Sequence, residues 1–181
     1  SDFMSRPVDF SKYAMVYGGA QKNVGPAGAT FVIIRKSLLE NVVDRTIPTM
    51  LKYKTHMDKD SMFNTPPCIN VFAIRETLKW VKEKGGVDAM DKLAQERADL
   101  LYKAIDESPM FKGTVAKEDR SRMNICFVFE EKYEALKDDF LKFAAQRDIV
   151  GLKGHRSVGG FRASTYNAST IDDVNALVKA M

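Results

Sequence analysis

The stretch GGAQKNVGPAG at residues 18–28 decides how this chain folds and points to its chemistry. It follows an apolar run at residues 13–17 and precedes a β-rich run at residues 29–35, so it joins two predicted buried strands. A plain hairpin needs one or two turn residues, whereas this connection is long and consists mostly of small and amide-bearing residues around Lys22. Small neighbours allow the backbone to approach a ligand closely. The stretch therefore predicts a Schiff-base lysine, although a surface lysine in a hairpin is the simpler interpretation of any single lysine.

Composition describes an ordinary globular protein. The chain has 181 residues, of which 45% are hydrophobic and 29% charged, enough for one good core or two small ones. The net charge of +4 is modest and the two signs are interleaved, which disfavours a nucleic-acid footprint. No apolar run reaches the length of a membrane span. Cys68 and Cys126 show no metal-ligand spacing, so we expect neither a metal site nor a disulfide, and we expect a reducing, cytoplasmic setting.

Alternating strand and helix patterns predict a layered α/β fold with helices on one face of a sheet. Gly85-Gly86 marks the predicted boundary between domains 1–84 and 85–181. Before it, the patterns predict a short helix near residues 37–39, a long loop at residues 46–63, and a helix after Pro67. After it, they predict helices bearing Met90 to Ile105, Tyr133 to Phe143, and one capped by Thr170, with strands at residues 123–129, 148–152 and 160–166.

Asn64-Thr65-Pro66-Pro67 precedes the first long helix. An amide and a hydroxyl beside a helix start are good phosphate ligands, because the N–H groups of the first turn point the same way. A plain N-cap followed by proline explains the same residues. Both interpretations stay open at this point.

A basic, glycine-rich segment occupies residues 151–164 and contains His155, Arg156 and Arg162. Arginine binds carboxylate or phosphate through two parallel hydrogen bonds, and neighbouring glycines allow close approach. We predict an anion site, with a basic surface hairpin as the alternative.

Three motifs in register resemble the phosphoserine aminotransferase family of pyridoxal-phosphate (PLP) enzymes: residues 20–28, 64–67 and 154–168. The resemblance runs across essentially the whole chain. It implies an α/β fold of type I, with residues 1–84 as the end of the large cofactor domain and residues 85–181 as the small C-terminal domain. It also implies amino transfer between glutamate and 3-phosphohydroxypyruvate, a step of serine biosynthesis.

The resemblance implies a role for each motif. Lys22 is the Schiff-base lysine and proton carrier, and Gln21 contacts the phosphate of PLP. Asn64 and Thr65 reach the phosphate of the partner subunit's cofactor, which makes the active site a property of a homodimer. His155, Arg156 and Arg162 hold the anionic groups of the substrate, with Arg162 at the α-carboxylate. No metal, membrane or nucleic-acid partner is implied.

Members of this family are about twice as long as this chain. We therefore expect a C-terminal half that is inactive alone, because the family's ring-stacking aromatic and its pyridine-pairing aspartate lie in the missing half. Three alternatives stay open: another fold-type-I aminotransferase with a different substrate, a non-enzymatic anion-binding module, and, less well supported, a basic nucleic-acid binder.

Overall fold

The computed structural model describes residues 2–43 and 45–181, which form two compact units. The N-terminal unit comprises residues 7–84, and the C-terminal unit comprises residues 85–181 together with residues 2–6. The chain leaves the first unit at Gly85 and Gly86, whose φ values of 101° and 77° lie in the left-handed region that favours glycine. The assignment of these units to a cofactor domain and a small domain stays a prediction.

In its described residues, the N-terminal unit contains a two-stranded antiparallel sheet and three helices. Strand β1 pairs with β2 from Met15↔Ile34 to Gly19↔Thr30, which confirms both predicted strands. The prediction that they are buried was wrong, because every residue of the two strands is half-buried or exposed. The elements are β1 Met15–Gly19, β2 Thr30–Ile34, α1 Lys36–Glu40, α2 Tyr53–Met57 and α3 Cys68–Glu83, with 3₁₀ turns at Phe10–Lys12 and Thr49–Leu51. The prediction of an unbroken loop at residues 46–63 was wrong, because α2 is one short turn of helix and carries too few residues to show a helical period.

Few apolar side chains of the N-terminal unit are buried. Ala20, Val24 and Val81 are buried, whereas Leu51 is 71% exposed and Ile69 is 74% exposed. A unit of this size with so little buried apolar surface gains little stability from hydrophobic burial.

The C-terminal unit is a three-stranded antiparallel sheet in the order β3-β4-β5 with three helices. The elements are α4 Gly86–Glu107, β3 Phe111–Gly113, β4 Asn124–Phe129, α5 Lys137–Ala145, β5 Phe161–Ser164 and α6 Ile171–Ala180, with 3₁₀ segments at Lys117–Asp119 and Glu131–Leu136. Thr170 and Asp173 form the predicted capping box at the start of α6. Strand β3 was not predicted, because three residues are too few for an alternating pattern.

Alternation along the strands divides the sheet into a core face and a polar face. Ile125, Phe127 and Phe129 of β4 are buried, while the residues between them are half-buried on the other face. The core face packs against α4, α5 and α6, as predicted. At its centre lies an aromatic cluster with ring centroids 4.6–6.1 Å apart, formed by Phe111, Phe127, Phe129, Phe140 and Phe161.

The strand predicted at residues 148–152 is absent from the structure. Asp148 has φ 59° and Gly151 has φ 77°, and such left-handed residues interrupt an extended strand. Only a single bridge, Lys153↔Phe161, pairs this segment with β5. Among the described residues, no helix combines the length and the apolar character that crossing a bilayer requires.

Candidate functional site

The lysine loop, residues 20–29, connects β1 to β2. Its base is closed by a hydrogen bond from Ala20 N–H to the carbonyl of Ala29, 2.7 Å long. A second hydrogen bond, from Val24 N–H to the carbonyl of Gln21 (3.1 Å), makes a tight turn with Lys22 at its first central position. A local turn thus places Lys22 three residues after Gly19, where the pairing of β1 with β2 ends.

Lys22 adopts a left-handed backbone conformation with φ 57°. Such a conformation is unusual outside glycine and costs about 1–3 kcal/mol, so it persists where the surrounding structure holds it. Here Ala20, Asn23 and Val24 are buried around it, while Lys22 and Gln21 are exposed. The loop is therefore anchored by its neighbours and presents the amine and the amide.

The small residues of the loop make room for helix α3. A Cβ on Gly25 (φ 139°) would lie 3.0 Å from Ile74 Cγ1, and one on Gly28 (φ 133°) would lie 2.7 Å from Asn70 Nδ2. The Asn70 amide donates to the carbonyl of Ala27 at 2.6 Å. The sequence suggested approach of a ligand as the reason for these glycines, whereas the structure shows approach of α3, which clamps the lysine loop.

Asn64 and Thr65 are exposed before the start of α3. The N-cap of that helix is Pro67, and no side chain caps it. Asn64 Nδ2 makes a long local contact to the carbonyl of Thr65 at 3.3 Å. The interpretation of these residues as a plain N-cap is therefore wrong, and their polar groups stand at the surface.

His155 and Arg156 lie in a tight, exposed turn between Lys153 and β5. Gly154 N–H donates to the carbonyl of Gly160 (2.9 Å), and Gly159 N–H donates to that of His155 (2.7 Å). A Cβ on Gly154 would overlap the carbonyl of Gly159, so the turn requires glycine there. The His155 ring is oriented by Ser157, whose Oγ lies 2.7 Å from Nδ1.

Arg162 lies on the polar face of β5, opposite Cys126. It is half-buried, and its Nε is buried without a hydrogen-bond partner. Among the described residues, its guanidinium has no ion-pair or hydrogen-bond partner at all. A partly desolvated guanidinium without a partner is a strong site for a carboxylate, which it can bind through two parallel hydrogen bonds.

The predicted site residues thus fall into two groups. Gln21, Lys22, Asn64 and Thr65 belong to the N-terminal unit, and His155, Arg156 and Arg162 belong to the C-terminal unit. Within the residues that the structure describes, no group of three or more His, Cys, Asp or Glu side chains is arranged to hold a metal.

One further polar group was missed from the sequence. Asn124 of β4 accepts hydrogen bonds from Ser164 Oγ and from the Tyr166 hydroxyl, on the same face as Arg162. The sequence does contain a signal for this residue, because an asparagine at the start of an otherwise apolar strand indicates which face of the strand is exposed to solvent. The sequence does not indicate which side chains hydrogen-bond to that asparagine.

Three other polar features of the C-terminal unit lie within its scaffold: an ion pair, a tyrosine and a buried arginine. Arg120 forms a two-pronged ion pair with Asp106 (2.7 and 2.8 Å), and this hydrogen bonding lowers the pKa of the Asp106 carboxyl. Burial raises the pKa of Tyr102 to about 12. Arg97 of α4 is buried and donates to the carbonyl of Ser169, and its burial lowers its pKa. These groups stabilise the layer behind the polar face.

Comparison with known proteins gives consistent similarities across the chain. A family model described as aminotransferase class-V matches residues 1–177. The phosphoserine aminotransferase of Bacteroides fragilis is 57% identical over 181 residues, which are 100% of this chain and 51% of that protein. That of Porphyromonas gingivalis is 56% identical over 100% of this chain and 50% of its own length. The chain thus spans about half the length of the curated relatives it matches.

Solved structures give the same result. A phosphoserine aminotransferase from Bacillus circulans subsp. alkalophilus aligns with a TM-score of 0.92 at 43% identity, covering 99% of this chain and 49% of that one. A PLP-bound phosphoserine aminotransferase from Trichomonas vaginalis aligns with a TM-score of 0.91 at 43% identity, covering 99% and 51%. An alanine–glyoxylate aminotransferase from Nostoc sp., with a TM-score of 0.74 at 15% identity over 96% of this chain and 49% of that one, shares the fold alone.

Proposed function

Because the chain belongs to the aminotransferase class-V family, we propose that it is the lysine-bearing part of a phosphoserine aminotransferase. The proposed reaction is amino transfer between L-glutamate and 3-phosphohydroxypyruvate, which gives O-phospho-L-serine and 2-oxoglutarate. The observation that carries the proposal is the lysine loop, in which an exposed lysine at a left-handed turn is held by buried neighbours and clamped by α3. The choice of substrates follows the names of the relatives.

The side chains of the N-terminal unit fit pyridoxal 5'-phosphate by the chemistry of their donors. Lys22 offers the primary amine that would hold the aldehyde carbon covalently, and Gln21 beside it offers a neutral donor for the phosphate. Asn64 and Thr65 are exposed and unused as helix caps, which supports a role at the phosphate of the partner subunit's cofactor in a homodimer. When bound, the cofactor supplies the electron sink for the reaction.

The chain's own residues would bind the substrate and move a proton. Arg162 would hold the α-carboxylate, because its guanidinium, which pairs with none of the residues that the structure describes, can take both carboxylate oxygens. His155 and Arg156, exposed on their tight turn, would hold the distal anionic group. The Lys22 amine, when it is not covalently engaged, would take a proton from the substrate's α-carbon and return it, a role typically worth about 10²–10⁴-fold in rate.

The proposed location of the protein is the cytoplasm.

The test uses the protein extended to the length of its relatives, with PLP added. Lys22→Ala is expected to lower turnover of glutamate and 3-phosphohydroxypyruvate by at least about 10²-fold. Borohydride reduction of the unchanged protein is expected to leave the cofactor attached to the peptide containing Lys22, which gains the mass of the cofactor less one oxygen atom, because water is lost when the amine and the aldehyde condense and two hydrogens are added on reduction. Lys12→Ala is the matched control, since Lys12 is an exposed lysine of the same unit that pairs only weakly with Asp9 (3.8 Å).

Full turnover by Lys22→Ala, or no cofactor mass on its peptide, would contradict the proposal and favour an anion-binding module instead. The 181-residue chain alone is expected to show no turnover. Measurable turnover by that chain would contradict the assignment of essential groups to the other half of the relatives' length.

A further inference from the structure

A side-chain network lies beside Arg162 on the polar face of the C-terminal sheet. Ser164 Oγ donates to Asn124 Oδ1 at 3.3 Å, and the Tyr166 hydroxyl donates to the same oxygen at 3.1 Å. In the pairing of β4 with β5, Asn124 lies opposite Ser164, and Arg162 lies opposite Cys126, the next position on this face. The network and the guanidinium therefore belong to one surface.

The two hydroxyl donors determine which way the Asn124 amide points. Both reach Oδ1, so the NH₂ group is turned away from them. Asn124 Nδ2 has no hydrogen-bond partner within residues 2–43 and 45–181. It is also not fully buried, so a ligand in solvent can reach it. Asn124 thus presents two oriented donors at the surface of this face.

Asn124 and Arg162 are close enough to share a ligand. They are diagonal neighbours on adjacent strands, a relation that separates Cα atoms by about 7–8 Å and lets long side chains meet. The buried Nε shows that the stem of Arg162 is covered rather than fully extended into solvent. A carboxylate has four lone-pair positions, and a two-pronged arginine uses two, which leaves acceptor sites for a further donor.

We propose that Asn124 Nδ2 donates a hydrogen bond to the same substrate carboxylate that Arg162 binds, and that Ser164 and Tyr166 are positioning residues that orient the amide. This rests on the proposed function of Arg162. A neutral donor beside the arginine strengthens carboxylate binding without adding a second charge that would need its own counter-ion. Asn124 is thereby a specificity-determining residue for the α-carboxylate.

The experiment measures binding of glutarate, an unreactive dicarboxylate, by calorimetry to the full-length protein loaded with PLP. Asn124→Asp keeps an oxygen for Ser164 and Tyr166 but replaces the donor with an anion that pairs with Arg162. We expect its affinity for glutarate to fall about 30-fold or more, and that of Asn124→Ala about 10-fold. In steady-state assays, the KM for glutamate is expected to rise with little change in kcat, as for a contact made equally in the ground and transition states.

Asn175→Asp is the matched control, because it makes the same chemical change on α6, in the helix layer, and is expected to stay within about twofold of the unchanged protein. The inference would be overturned, and the proposed function left standing, by two results together. One is a glutarate affinity within about twofold of the unchanged protein in either folded Asn124 variant, and the other is loss of glutarate binding in Arg162→Ala. Unchanged affinity in Arg162→Ala would overturn the carboxylate site itself. The two Asn124 variants are scored separately, so loss of fold in one leaves the other decisive.

Discussion

The two units of the chain differ in how they hold together, although each carries part of the predicted site. The C-terminal unit buries an aromatic cluster between one sheet face and three helices. The N-terminal unit buries little more than Ala20, Val24 and Val81, and leaves Tyr17, Leu51 and Ile69 more than two-thirds exposed. The predicted catalytic lysine belongs to the unit with the smaller core. The comparison teaches that local contacts can fix the conformation of a loop although few apolar side chains of its unit are buried.

The order of the lysine loop has a local cause. Two backbone hydrogen bonds close it, and Gly25 and Gly28 let α3 approach within van der Waals contact of its backbone. Apolar burial, in contrast, is a sum over a whole unit and needs partners on every side. Local turn geometry and global stability can therefore be separated by experiment.

Dissection of the chain gives the largest expected effect. Residues 85–181 produced alone are expected to unfold cooperatively on heating, because their core is closed within the unit. Residues 7–84 produced alone are expected to show no cooperative transition, because exposed apolar side chains outnumber buried ones there. Circular dichroism melts of the two pieces check this. A sharp melt of residues 7–84 would remove the contrast between the units.

Substitution inside the aromatic cluster tests what stabilises the C-terminal unit. Phe127→Ala is expected to cost about 3–5 kcal/mol in the free energy of unfolding of residues 85–181, because Phe127 is buried at the centre of the cluster. Phe143→Ala on α5 is the control, since Phe143 is 39% exposed and its loss is expected to cost under about 1 kcal/mol. Urea unfolding measures both. Equal costs would show that the cluster is not the main source of stability.

Adding a methyl group to the lysine loop tests whether contact with α3 orders the loop in the N-terminal unit. Gly28→Ala is expected to destabilise the full-length protein by about 1–3 kcal/mol, because its Cβ would meet the Asn70 amide and its φ is positive. Gly19→Ala is the control, since nothing lies within 4 Å of a Cβ at that position. Thermal unfolding and affinity for PLP are measured together. If Gly28→Ala matches Gly19→Ala in both, the clamp by α3 does not order the loop.

Removing the capping box of α6 is expected to change the free energy of unfolding least, and the change is expected to depend on pH. The pKa of Asp173 is lowered from 3.8, first because its carboxylate accepts the Thr170 backbone N–H at 2.6 Å. A carboxyl whose pKa is lowered by folding adds to the free energy of unfolding at pH values above its ordinary pKa. That contribution is lost as the pH falls through the folded-state pKa. Asp173→Asn is therefore expected to cost about 0.5–1 kcal/mol in residues 85–181 at neutral pH, and nothing once the carboxyl is protonated.

Urea unfolding of residues 85–181 at a series of pH values checks this prediction. Asp172→Asn is the control, because Asp172 lies in the same first turn outside the capping box. An Asp173→Asn cost that persists unchanged below the folded-state pKa would show that charge has no part in the cap.

Much of the fold followed from local patterns. The signals are local ones: apolar, β-rich runs predict strands at residues 13–17 and 29–35, prolines precede the helix after Pro67, and a threonine cap predicts the capping box at Thr170. Patterns failed where elements are short or where the backbone turns left-handed. Helix α2 and strand β3 are too short to show a period, and Asp148 breaks a stretch that reads as a strand.

The candidate site divides in the same way. Lys22, His155 and Arg162 could be selected from the sequence, because a lone lysine among small residues and arginines among glycines are local signals. The role of Gly25 and Gly28 could not, since it depends on Asn70 and Ile74, which lie more than 40 residues away in sequence. Neither could the role of Asn124, whose two hydroxyl donors are Ser164, at the end of β5, and Tyr166, just after that strand, 40 and 42 residues away in sequence.

The sequence by itself determined the family, the lysine loop and the α/β class, because these rest on motifs and on short-range backbone preferences. Only the tertiary structure decided that the C-terminal sheet is antiparallel, that Arg162 stands on its polar face with no side-chain partner among the described residues, and that α3 clamps the loop of Lys22. The physical reason is the separation along the chain over which each kind of interaction acts. Chain geometry and turn chemistry act over a few residues, whereas strand pairing, desolvation of a guanidinium and close packing against a glycine depend on groups that meet only when the chain is folded.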